Sequence, residues 1–204
     1  MSAGSMILTI AAIFVFSGLL QRVLDRMYMT DRQALLVIGA MLLGTFLPDV
    51  KLGMFSIGIG GALIPLAVCV YLFSKADQSA EKLHAIAGFL LTAAGVYALS
   101  KLLPAEAENL PIDPMWLYGL CGGIIAWLLG RSRRNAFICG VVGVILADIT
   151  SGIVAMAQGY SVQVVLGGGG IADAAVISGV MGVLLCELLG EFIEKIVRRG
   201  VSRK

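Results

Sequence analysis

Val162-Gln163-Val164-Val165-Leu166-Gly167-Gly168-Gly169-Gly170-Ile171-Ala172-Asp173 separates the last two apolar runs of the chain. Four consecutive glycines do not carry a regular helix across lipid, because each loses much conformational freedom on ordering and leaves its backbone uncovered. The residues before them are β-branched and apolar. The segment 162–173 is therefore expected to be extended chain that dips into the membrane as a glycine-rich re-entrant loop, with the last helix starting near Asp173. A second break lies in Ser56-Ile57-Gly58-Ile59-Gly60-Gly61-Ala62-Leu63-Ile64-Pro65, where glycines and a proline interrupt helical hydrogen bonding. Backbone of this kind persists at membrane depth only where protein buries it or where it lines a wet cavity.

The composition says why a membrane is the frame. Of 204 residues, 59% are hydrophobic and 14% charged, with a mean hydropathy of +0.96. A soluble domain needs about a quarter charged residues. At roughly 20 apolar residues per crossing, six or seven crossings consume the chain and leave no separate globular module. Apolar runs fall at 6–21, 33–48, 56–74, 83–103, 115–130, 136–157 and 171–193. They predict an all-α polytopic membrane protein, one integral domain over residues 1–204 with about seven transmembrane helices. The first two runs are short, and tilt, flanking residues or a re-entrant path would each accommodate them.

Charge supports the count. With connections assigned alternately to two sides, all but Lys51 and Lys101 of the 15 Lys and Arg residues fall on one side. The positive-inside bias then sets the N-terminus outside and the C-terminus in the cytoplasm, in the cell membrane. The first run has no basic segment ahead of it, so it reads as an uncleaved helix. The basic tail ending at Lys204 suits a stop-transfer anchor at an anionic leaflet. The balance of 15 cationic against 13 anionic residues excludes a basic nucleic-acid face.

Most familiar chemistries are absent. Cys69, Cys121, Cys139 and Cys186 lie in four different runs without a CxxC pair, and His84 is the single histidine. They read as buried small hydrophobes and an interfacial imidazole, and neither a metal site nor a cofactor is expected. GxSxG, HExxH and Walker-type loops do not occur. The Pro104 to Pro114 loop, with Glu106, Glu108, Asp113 and the nearby Trp116, reads as topology and anchoring. Gly119, Gly122, Gly123 and Ala126 form a small face with a GxxxG step, a packing signal. The lipid bilayer is the expected partner, with a small solute, cation or proton as ligand; assembly into a homo-oligomer stays open.

Two aspartates run against the composition. Asp148 lies about 14 residues, or ~20 Å, beyond Arg134 within the sixth run. A carboxylate at that depth costs at least ~2.5 kcal/mol, so it should face the bundle, carry a proton or bind a cation. The strip of Gly143, Ala147 and Ser151 puts it beside a helix contact. Asp173 enters from the same side, and two close carboxylates share a proton or a cation more cheaply than they both ionise. Glu187, four turns along the last helix at a similar angle, extends an acidic line. A ligand or ion path would use Asp148, Asp173, Gly60, Gly61, Pro65, Gly168, Gly169, Gly170 and Glu187. Structural alternatives exist for each acid: Asp148 bonding amides freed by the third run, Asp173 capping the last helix, Glu187 pairing with the basic tail.

Gly60-Gly61-Ala62-Leu63-Ile64-Pro65, Ala147-Asp148-Ile149, and Leu166 to Asp173 with Ile177-Ser178-Gly179-Val180 together resemble the bacterial and archaeal membrane proteins grouped as domain of unknown function 1614. The resemblance covers roughly 33–74 and 136–190. It differs at Leu47-Pro48-Asp49, where the family carries an asparagine-proline element, and at Ala174, where a glycine is usual. It implies an architecture and a site position, and no reaction. A weaker resemblance links Asp148 and Asp173 to intramembrane aspartyl proteases. There, however, Gly170 stands three residues before Asp173 instead of next to it, Ala147 replaces a tyrosine, and Ala62-Leu63-Ile64-Pro65 only reverses the usual Pro-Ala-Leu. Three functions remain: an ion- or proton-coupled permease, a protease with Asp148 and Asp173 as catalytic pair, or a non-catalytic scaffold or assembly factor.

Overall fold

The computed structural model describes residues 29–76, 79–102, 114–130, 132–170 and 173–201, and the first apolar run, 6–21, lies outside them. The described elements are α1 (Asp31–Thr45), β1 (Val50–Leu52), β2 (Phe55–Ile57), a π-helical turn (Ile59–Leu63), α2 (Ile64–Ser74), α3 (Ser79–Leu102), α4 (Pro114–Gly130), α5 (Arg133–Ala157), β3 (Val164–Leu166) and α6 (Ala174–Val201). Two of these helices, α3 and α5, are long and apolar enough to cross a membrane. Arg32–Thr45, Ile59–Ser74, Trp116–Leu129 and Ala174–Leu188 are apolar but shorter. Large apolar side chains face outward on several helices, among them Leu36, Leu43, Val70, Leu83 and Leu128.

The ends of the elements follow from local chemistry. A capping box opens α1: the Gln33 amide donates to Thr30 Oγ1 and the Thr30 amide to Gln33 Oε1. The second run was expected to continue to 48, but the helix stops at Thr45, and Pro48-Asp49 leads instead into the β1–β2 hairpin. Gly53 turns that hairpin at φ +61°, a left-handed conformation that favours glycine. The third run is likewise not helical from its start. Ser56 and Ile57 belong to β2, and the helix begins with a wide turn in which the Ala62 and Leu63 amides both donate to the Gly58 carbonyl. Pro65 sits in the first turn of α2, where its missing N–H costs nothing.

The strands join distant parts of the chain. β1 pairs antiparallel with β2, and β2 pairs parallel with β3, setting Phe55 opposite Val164 and Ile57 opposite Leu166. The apolar Val164 to Leu166 segment is thus extended, as the sequence predicts, and the sheet satisfies its backbone. α5 is the central helix, with buried residues from Asn135 to Gly152, packed against α2, α3, α4 and α6.

Candidate functional site

Small residues fix the height at which α4, α5 and α6 meet. A β-carbon on Gly119 would stand 2.6 Å from Ile177 Cγ2, and one on Gly123 2.7 Å from Met181 Cβ. Gly140 of α5 lies equally close to the backbone of Gly179 on α6. The expected small face of α4 is therefore a contact surface for α6 within the same chain, with Ala126 fully buried behind it. Gly122 belongs to the same layer: a β-carbon there would come 2.5 Å from Ser178 Oγ and 3.1 Å from Val144 Cγ2. One turn nearer the strands stand Tyr118 on α4, Asp148 on α5 and Ala174 on α6, the residue after Asp173.

The two aspartates therefore approach each other across 25 residues of sequence, and Asp148 lies within electrostatic reach of both Asp173 and Tyr118. Their surroundings differ. Asp173 is buried and committed: Oδ1 accepts the Ala175 amide at 3.0 Å and Oδ2 the Gly169 amide at 3.2 Å, while its own amide donates to the Gly170 carbonyl. It is the N-cap of α6, one of the structural roles its sequence allowed. Asp148 is half-buried and makes no hydrogen bond among the described residues. The amides freed by the third run, offered above as its partners, bond elsewhere: the Gly58 amide donates to the Leu166 carbonyl and those of Ala62 and Leu63 to Gly58.

The two glycine breaks meet. Gly58 and Gly61 lie against the Gly167 carbonyl, and Gly60 lies against Met41 and Thr45 of α1. Gly167 and Gly170 hold φ values of +70° and +58° at this crossing, and a β-carbon on Gly170 would press into the Thr45 side chain. Gly169 reaches Asp173 through its amide, whereas Gly168 is exposed and a β-carbon there would meet Val165. Pro65 is fully buried at the base of the broken segment.

Glu187 is not part of this layer. It lies 14 residues beyond Asp173, ~21 Å along α6, and forms an ion pair with Arg133 at the start of α5. α5 and α6 run antiparallel, which brings the first turn of α5 beside Glu187, while the side chains of the basic tail lie outside the described residues. A second pair, Arg134 with Glu81 at 3.3 Å, and the Asn135 side-chain amide donating to the Glu81 carbonyl tie α5 to α3 at the same end. The four cysteines are free thiols, and His84 is exposed, its Nδ1 2.6 Å from the Ala80 carbonyl. Among the described residues no three His, Cys, Asp or Glu converge.

Two participants escaped the sequence reading. Tyr118 lies one turn before Gly122 on the small face of α4, and that spacing was the available signal. Arg133 offered none, since its partner is set by the register of two helices. Glu106, Glu108 and Asp113 lie outside the described residues.

A family model described as "Protein of unknown function (DUF1614)" matches residues 9–185. No curated protein and no solved structure matches the chain. The resemblance to intramembrane aspartyl proteases finds no support in these comparisons.

Proposed function

The chain belongs to the DUF1614 family, and on that premise we propose that it is a small permease of the cell membrane, coupled to a cation or a proton, with Asp148 as its ionisable centre. The observation that carries this reading is the contrast among the three intramembrane acids. Asp173 caps a helix and Glu187 holds an ion pair, whereas Asp148 has no hydrogen bond among the described residues yet faces a helix contact. An ionisable group kept at that depth without a structural partner marks an ion or proton path by default. Glycine-broken segments crossing beside such a group are the arrangement secondary transporters use. In this reading the charge bias sets the N-terminus outside and the C-terminus in the cytoplasm, and residues 162–173 form the re-entrant loop.

The protein is tested in liposomes loaded with a pH-sensitive dye under an imposed proton gradient, with and without sodium or potassium ions. Asp148→Asn should abolish flux while the protein folds as before. Unaltered flux would remove the proposal and favour a scaffold.

A further inference from the structure

β1 is an edge strand, and the alternation of the ladder fixes what that edge presents. In the parallel pair the Val164 amide donates to the Met54 carbonyl and the Gly58 amide to the Leu166 carbonyl. Met54, Ser56 and Gly58 therefore turn their backbone groups toward β3, and Phe55 and Ile57 turn theirs toward β1, where they face Leu52 and Val50. Lys51, between these two, and by the same alternation Asp49, point their N–H and C=O away from β2. Those groups have no partner among the described residues.

The side chains sort with the same period of two. Val50 and Leu52 share the sheet face of Phe55, Ile57 and the buried Val164 and Leu166. Beneath β3 that face is covered, yet Val50 is 42% and Leu52 60% exposed, since among the described residues only β2 packs closely on β1. The other face carries Asp49, whose carboxylate accepts the Ser56 hydroxyl at 3.1 Å, and Lys51, whose ammonium forms no ion pair among the described residues. Water would satisfy the Lys51 backbone but leave Val50 and Leu52 uncovered, and acyl chains would do the reverse. A second β1 does both.

We infer that β1 is the interface of a homodimer, in which the β1 strands of two copies pair antiparallel about a two-fold axis and join the two sheets. Only a register that brings outward-facing backbone groups together closes the ladder, with Val50 or with Lys51 on the axis. Lys51 on the axis sets two ammonium groups side by side. Val50 on the axis sets Asp49 of each copy opposite Lys51 of the other, and brings the two Val50 side chains together on the apolar face. Charge selects the register centred on Val50. The sheet's opposite edge, at Val165, is flanked by Gln163 and Gly167 and has no charge to match; β1 docked there would join copies head to tail into rings or fibres. The dimer stands independently of the permease reading.

The test uses the full chain in vesicles at a low protein-to-lipid ratio. Val50→Cys, treated with a mild oxidant, should give a disulfide-linked dimer, because residues facing each other on the axis lie ~4.5 Å apart at Cα, within reach of a disulfide. Lys51→Cys should not, since its two copies lie on a diagonal more than ~7 Å apart. The parent, with its four free cysteines, is the blank. Without oxidant, energy transfer between copies labelled at the C-terminus gives the dissociation constant. Lys51→Asp should weaken dimerisation about tenfold, as two attractions per dimer become repulsions, and Asp49→Lys combined with Lys51→Asp should restore it. If the charge variants fail to fold, the two cysteine variants still decide. A monomer, whose edge is then covered by lipid or by residues outside the described ones, would overturn the inference. So would a bridge through position 51 and not 50, an assembly larger than two, or a folded charge swap that restores nothing.

Discussion

Gly61 and Gly167, more than 100 residues apart in sequence, lie in backbone contact: a β-carbon on Gly61 would run into the Gly167 carbonyl oxygen and stand 2.6 Å from that of Gly170. Two carbonyls so close to one α-carbon leave no room for any side chain, and neither can move without undoing a turn. The contact locks the third apolar run to the segment that starts the last helix.

Gly61→Ala should therefore destabilise the protein by roughly 1–3 kcal/mol or more, as overpacking against fixed backbone does. Gly39 of α1, half-buried but with nothing within 4 Å of a β-carbon placed there, is the control. Gly39→Ala should be neutral or up to about 1 kcal/mol more stable. Thermal unfolding of the two variants in the same detergent compares them; equal losses would contradict the contact.

Asp173 should behave as a cap. Asparagine accepts the same amide bonds, so Asp173→Asn should unfold within a few tenths of a kcal/mol of the parent, whereas Asp173→Ala should lose about 1–2 kcal/mol. Circular dichroism during a thermal ramp reads both. A large loss in Asp173→Asn would mean that the charge, and not the hydrogen bonds, matters there.

Arg133 and Glu187 are 18% and 12% exposed, so either left alone is a poorly solvated charge. Glu187→Gln and Arg133→Met should each destabilise by about 3 kcal/mol, toward the low end of values for broken buried pairs. The double variant should cost less than the two losses added, with a coupling of about 1–3 kcal/mol. Additive losses in a double-mutant cycle would show that the pair contributes nothing jointly.

Asp148→Asn should leave stability unchanged or slightly raised, because it removes an intramembrane charge without removing a hydrogen bond among the described residues. Denaturation midpoints of parent and variant give the comparison. A clear loss would assign Asp148 a structural role and weaken its reading as the ionisable centre.

Much of this was legible in the residues. The glycine breaks, the start of the last helix beside Asp173, the extended Val164 to Leu166 segment and the small face of α4 follow from propensity and spacing within a few turns of chain. The run from 56 misled, because hydropathy does not distinguish a short strand and a π turn from the first turns of a helix. The partner of Glu187 was not legible for another reason: an i,i+14 angle on one helix says nothing about the neighbouring helix that approaches it.

By itself the sequence determined the environment and the local elements, because composition, hydrophobic runs and helix-breaking residues act over short stretches of chain. The tertiary structure alone decided the partners: Gly61 against Gly167, Glu187 with Arg133, and Gly119 and Gly123 against α6. Those pairings depend on how far one helix slides along another. That register is fixed by close packing of small residues from three helices at once, a condition no single stretch of sequence contains.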